Sequence, residues 1–136
     1  MIDVRPGIEN TDFDRVHPWL ASSYWSPGIA RDRVERAAEN SSLVINAFLD
    51  AKQVGYCRVV SDRTTFAYLC DVFVDDDARG QGVAQAMVEL ALAHPEHQNL
   101  RRWLLATHDA HSLYAKFGFE LLPNPERWMI IRQAVV

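Results

Sequence analysis

Val72-Phe73-Val74-Asp75-Asp76-Asp77-Ala78-Arg79-Gly80-Gln81-Gly82-Val83-Ala84-Gln85-Ala86-Met87 decides how the chain is read. The apolar run from Leu69 to Val74 has the composition of a buried strand, and the aspartates and the two glycines break it. A helical pattern follows at once, with Val83, Met87, Leu90 and Ala91 on one face. A strand, a tight glycine turn and a helix N-terminus make an anion site. The first-turn N–H groups have no acceptor inside the helix, and the helix dipole favours negative charge there. Gly80 and Gly82 let a phosphate approach the backbone with no Cβ in the way.

Two common glycine motifs fail here. No Gly-Lys-Ser/Thr string exists for a P-loop. The dinucleotide fingerprint needs a third glycine where Gln85 stands and an acid about 20 residues further on, and neither is present. Arg79-x-x-Gly82-x-Ala84 instead resembles the Gln/Arg-x-x-Gly-x-Gly/Ala pyrophosphate loop of the GNAT superfamily, the acetyl-CoA-dependent N-acetyltransferases. In that family's commoner register Asp77 stands where Gln is usual, a departure softened because backbone amides do most of the binding.

A second resemblance lies downstream. Thr107-x-x-Ala110-x-x-x-Tyr114-x-x-x-Gly118-Phe119 is similar to the family's Asn-x-x-Ala-x-x-x-Tyr-x-x-x-Gly-Phe signature, with Thr107 replacing the Asn. The two signatures stand in the family's order, separated by a helix and a strand. Motif-level similarity covers Leu69 to Phe119; the first sixty residues carry no usable motif.

Composition agrees with an ordinary globular protein. The 136 residues suffice for one domain, taken here as 1–136, and are too few for two. A net charge of −4 argues against nucleic acid as the main partner, since phosphate binding wants a basic face. Cys57 and Cys70 sit in strand-like runs without metal-ligand spacing, so no metal and no disulfide framework are expected. The N-terminus lacks the apolar core of a signal peptide, and no apolar run reaches membrane-spanning length. The expectation is a cytoplasmic protein with no membrane partner; a homodimer is compatible with the sequence.

Along the chain the patterns predict a strand at Ile2–Arg5, a helix over Asp12–Ser23 with a break or kink near His17 caused by Pro18, and a loop around Tyr24 and Trp25. A polar helix over Arg31–Asn40 follows, then a hairpin of Leu43–Leu49 and Gln53–Val60, then a strand over Thr64–Val74. The helix after the glycine loop stops at His94-Pro95, and Arg101–Thr107 is a further strand. Asp109 can cap a short helix over Ala110–Phe117, which Gly118 ends in the C′ position. Phe119–Leu122 and Trp128–Arg132 read as two last strands joined by a Pro-rich turn. The fold class is α/β, a GNAT-like mixed sheet of about six to seven strands with about four helices.

The resemblance implies that two central parallel strands, Leu69–Val74 and Arg102–Ala106, splay apart. The pantetheine arm of acetyl-CoA, the cosubstrate, would pair with the backbone of Val72, Phe73 and Val74. The pyrophosphate would rest on the loop of Arg79, Gly80, Gln81, Gly82, Val83 and Ala84. It also implies direct acetyl transfer to a primary amine of a small molecule or peptide. Tyr114 then takes the general-acid role near the coenzyme sulfur, with a backbone N–H of Phe73 or Val74 as oxyanion donor. Asp71, a carboxylate inside an otherwise apolar strand, is the candidate base; a salt-bridged Asp71 is the competing reading. His108, Asp109 or a water relay are the other routes for the proton. Tyr24 and Trp25 either wall the acceptor site or plug the core, and Tyr56 and Arg58, on the strand beside Asp71, are further acceptor-site candidates, suited to a cationic amine if the aromatics face it. The alternative to an enzyme is a non-catalytic CoA-binding sensor or partner-binding module with the same glycine loop.

Overall fold

A computed structural model of the protein describes residues 1–134. The chain divides into two compact units, residues 1–105 and residues from 106 onward.

The first unit is built on a five-stranded sheet in simple sequence order. Its strands are β1 (Asp3–Pro6), β2 (Leu43–Leu49), β3 (Lys52–Ser61), β4 (Phe66–Val74) and β5 (Arg102–Leu104). The first four run antiparallel to their neighbours and β5 runs parallel to β4. The β2–β3 hairpin closes on a two-residue turn, Asp50-Ala51, enclosed by the Leu49–Lys52 pair. Both turn residues have positive φ, 50° and 63°, the backbone twist that suits the flanking strands.

Helices α1 (Phe13–Ala21) and α2 (Arg31–Glu39) cover one sheet face, and α3 (Val83–Ala93) covers the other. Val16 and Leu20 of α1 and Val34 and Ala38 of α2 form a buried cluster with Val44 and Tyr56. Side chains alternate across a strand, so the neighbour of Tyr56, Gly55, belongs to the opposite face. There α3 lies so close that a Cβ on Gly55 would stand 2.8 Å from Val83 Cγ1. Helix α1 starts where the Asp12 carboxylate accepts from the Asp14 amide at 3.1 Å, and it runs on through Pro18 as one element instead of breaking at His17.

The second unit holds α4 (His111–Ala115). The expected Asp109 cap is absent: the N-cap position is Ala110, no side chain caps the helix, and the Ala110 amide donates to Thr107 Oγ1 at 3.1 Å. Gly118 ends the helical segment with φ 95°; its amide donates to Ala115 and the Phe119 amide to Tyr114, the paired bonds of a glycine C-cap.

The sheet has five strands, not six to seven. Neither Phe119–Leu122 nor Trp128–Arg132 forms a strand, and residues 119–134 are almost wholly exposed. Apolar composition favours a strand, but a ladder also needs a paired neighbour, and among the described residues neither segment is paired in one. Among the described residues, no helix is long and apolar enough to cross a membrane.

Candidate active site

The glycine loop has the geometry its sequence demands. Gly80 and Gly82 have φ of 78° and 85°, backbone that only glycine adopts without strain. A Cβ on either would meet nothing within 4 Å, so the space over both is open. Gly82 is the N-cap of α3; no side chain caps this end and no acid lies in the first turn. Ala86 is the first amide to find a helical acceptor, Gly82 O at 3.0 Å. The amides of Val83, Ala84 and Gln85 therefore face outward at the positive end of an 11-residue helix. Bare amides, no Cβ and no first-turn acid are what a diphosphate requires.

The aspartates ahead of the loop are partly neutralised. Asp75 forms an ion pair with Arg15 at 2.6 Å, and exposed Asp76 pairs with Arg79 at 3.2 Å. The second pair lies in water and is worth little, so Arg79 can exchange it for another anion.

The strand edge leading into the loop is open. β5 pairs with β4 only through Phe66–Arg102, Ala67–Trp103 and Tyr68–Leu104. From Leu69 to Val74, β4 has no strand on that side among the described residues. Val72, Phe73 and Val74 thus keep main-chain groups available for an extended ligand, while Phe73 and Val74 stay registered on Tyr56 and Gly55 of β3.

A β-bulge interrupts that register and explains Asp71. Tyr56 faces Phe73 and Arg58 faces Cys70, so Cys57 alone on β3 opposes Asp71 and Val72 on β4. Asp71 takes up the extra length with φ 55°, a left-handed conformation that Asp tolerates better than most residues. The bulge turns its carboxylate toward Arg58, whose Nε donates to Oδ2 at 2.7 Å. Trp25 Nε1 donates to Oδ1 at 2.8 Å. Burial opposes the charge on Arg58, but the neighbouring Cys70 and Asp71 outweigh it and its pKa is raised. Burial also pushes the Cys70 thiol up to about 11.

The structure brings Trp25, Asp71 and Arg58 into one polar node. Tyr24 stands edge-on to Trp25 with ring centroids 4.9 Å apart, and both aromatics are exposed. Neither is therefore a core plug. Tyr56 is otherwise placed: it is completely buried among α1 and α2 residues and cannot touch an acceptor bound at the surface. Its hydroxyl has no hydrogen-bond partner, and burial raises its pKa, followed by the charge of Asp71. Tyr68 of β4, half-exposed, was missed by the pattern; burial and then the charge of Cys70 and Asp71 raise its pKa. Its signal was alternation with buried Ala67 and Leu69. Tyr114 lies in the second unit, buried on α4 with its ring 5.9 Å from that of Phe119. No group of three metal-ligating side chains occurs among the described residues.

A mixed sheet with one parallel pair, whose two strands are joined through a glycine-capped helix, defines a distinct class of α/β domain. Within that class the chain belongs to the GNAT family of acetyltransferases, whose family model matches residues 8–119. A GNAT-family protein from Xanthomonas campestris pv. campestris is 39% identical, with a TM-score of 0.93 over 98% of this chain and 94% of that one. A GNAT-family acetyltransferase from Streptococcus pneumoniae TIGR4 has the same fold at 22% identity, with a TM-score of 0.77 over 98% of each chain. A protein from Clostridium acetobutylicum solved with acetyl-CoA shares the fold at 15% identity, with a TM-score of 0.66 over 97% of this chain and 96% of that one. No curated protein matches.

Proposed function

We propose that this protein is an N-acetyltransferase that moves an acetyl group from acetyl-CoA directly to a primary amine of a small molecule or peptide. The observation that carries the reading is the continuity of an unpaired β4 edge with a bare, glycine-capped helix start. Acetyl-CoA supplies an acetyl group activated as a thioester. The amides of Gln81 to Ala84, with Arg79 beside them, hold the diphosphate, and the backbone of Val72, Phe73 and Val74 lines the extended arm. A main-chain N–H of Phe73 or Val74 donates to the oxygen that gains charge. The phenol of Tyr114 donates to the departing sulfur.

Arg58 and Trp25 fix the Asp71 carboxylate in place, and each oxygen keeps a lone pair for an incoming N–H. Asp71 then takes the proton that an ammonium must lose before it can attack. Tyr24 and Trp25 supply aromatic faces on the acceptor side, which suit a cationic amine.

One observation favours a second reading, a CoA-binding module without catalysis: both Asp71 oxygens already accept a hydrogen bond. Acetyl-CoA turnover across a panel of amines separates the two. The enzyme reading expects turnover that Tyr114→Phe and Asp71→Asn each cut by about 100-fold, with CoA affinity kept. Tight CoA binding with no turnover on any amine supports the second reading.

A further inference from the structure

The end of β4 has less support than the rest of the sheet. β5 stops pairing with β4 at Tyr68, and on the other side the bulge at Asp71 interrupts the ladder with β3. Yet the stretch from Phe73 to Asp75 joins the open strand edge to the glycine loop, so its shape sets how the two meet a ligand. Asp75 is the pivot. Its amide donates to Val54 O of β3 at 2.8 Å, and its carbonyl accepts from the Ala78 amide at 2.8 Å, where the chain turns toward the loop.

Helix α1 steadies this stretch. Arg15 and Trp19 stand four residues apart and so share one face of the helix. The Trp19 ring stacks on that of Phe73, with centroids 5.4 Å apart and planes 13° from parallel. The Arg15 guanidinium lies over the Trp19 ring, 5.2 Å from its centre. Its Nε donates to Gln53 O at 2.8 Å and its Nη2 to Asp75 Oδ2 at 2.6 Å, so one side chain ties the start of β3 to the pivot after β4. The helix itself is anchored. Val16 and Leu20 are in the core, and the Asp12 amide donates to Gln53 Oε1 at 2.7 Å. The Gln53 amide group donates in turn to Asn46 Oδ1 and Gly55 O, both at 2.9 Å. α1 is therefore the fixed point, and the end of β4 is the part it holds.

We propose that Arg15 and Trp19 are positioning residues for the coenzyme, acting through Asp75 and Phe73. The inference rests on the acetyltransferase reading and adds that α1 orders, before binding, the stretch that acetyl-CoA meets. A stretch already ordered spares the ligand the entropy of fixing it.

Hydrogen exchange of the ligand-free chain and calorimetric titration with CoA test the proposal. Trp19→Leu removes the ring and keeps apolar bulk, whereas Trp19→Phe keeps a ring that can stack. Arg15→Met keeps an apolar stem over Trp19 and loses both hydrogen bonds. In Trp19→Leu and Arg15→Met the Asp75 amide exchanges at least about fivefold faster. The Arg101 amide, which donates to Thr65 O at 2.9 Å near the other end of β4, keeps its rate. Both variants bind CoA roughly 3- to 10-fold more weakly, and Trp19→Phe stays within about twofold of the wild type in both readings. A loss of global stability alone speeds the two amides together. Where far-UV circular dichroism shows that Trp19→Leu or Arg15→Met does not fold, Phe73→Leu removes the partner ring and must give the same two changes. Wild-type CoA affinity in the folded variants overturns the proposal. So does an unchanged Asp75 rate, or Asp75 and Arg101 amides that speed up equally. Each of these leaves the acetyltransferase reading standing, whereas a wild type that gives no heat with CoA overturns both.

Discussion

Replacing Gly82 with alanine separates the cost of backbone strain from the cost of blocking an anion. Gly82 holds φ 85°, and an added Cβ would meet nothing within 4 Å, so no packing is disturbed. The stability penalty is then the left-handed backbone alone, about 1–2 kcal/mol. For a domain of this size that lowers Tm by roughly 4 °C per kcal/mol. Ligand binding suffers more. The new methyl stands at the helix start, where the amides of Val83, Ala84 and Gln85 are uncapped. A charge-assisted hydrogen bond contributes about 1.5–3 kcal/mol, so displacing a phosphate from one amide weakens CoA by roughly 10–150-fold. Gly28→Ala is the matched control, because Gly28 has φ 72° and the same open surroundings but lies outside the loop. Calorimetric titration with CoA, beside a thermal melt, reads both quantities. The account expects similar melting losses in the two variants and an affinity loss in Gly82→Ala alone. Wild-type affinity in a folded Gly82→Ala protein refutes the assignment of the diphosphate to this loop.

The Asp71–Arg58 pair, with side chains 11% and 19% exposed, should be costly to break from one side. Asp71→Ala or Arg58→Met each lowers the unfolding free energy by about 2–4 kcal/mol, and the double variant loses less than the sum, as urea melts will show. Ala51 sits at φ 63° in the hairpin turn, so Ala51→Gly relieves strain and should stabilise by about 1 kcal/mol in the same assay. His97 is buried, with Nε2 2.8 Å from Ser42 Oγ, and burial followed by the nearby His94 and Arg63 lowers its pKa. Its folded-state pKa lies below the unfolded value, so the unfolded chain binds the extra proton first. Stability is therefore full above about pH 6.5 and declines as pH falls toward the depressed value; His97→Gln should flatten that part of the stability–pH curve.

Much of the fold could be read from local chemistry. Glycines at φ 78° and 85° stand where the loop pattern required them, and Gly118 caps α4 as a C′ glycine should. These features are encoded within a few residues, as is the amphipathic face of α1 with Val16 and Leu20 buried. What the pattern could not supply was pairing across distance. A bulge at Asp71 depends on the register between two strands, and only that register decides that its carboxylate meets Arg58. Tyr56 looked open to an acceptor because a tyrosine in a strand can face either way; the helices of the opposing layer close over it. The apolar runs at 119–122 and 128–132 have a strand's composition, but no sequence pattern names the partner a strand must have.

The most direct measurement is a crystal structure of the wild type with acetyl-CoA. The account predicts phosphate oxygens within about 3 Å of the amides between Gln81 and Ala84. It also predicts the pantetheine arm lying along Val72 to Val74, with the thioester sulfur within hydrogen-bond reach of Tyr114. A coenzyme seated away from the start of α3, or one whose arm leaves the β4 edge untouched, contradicts it.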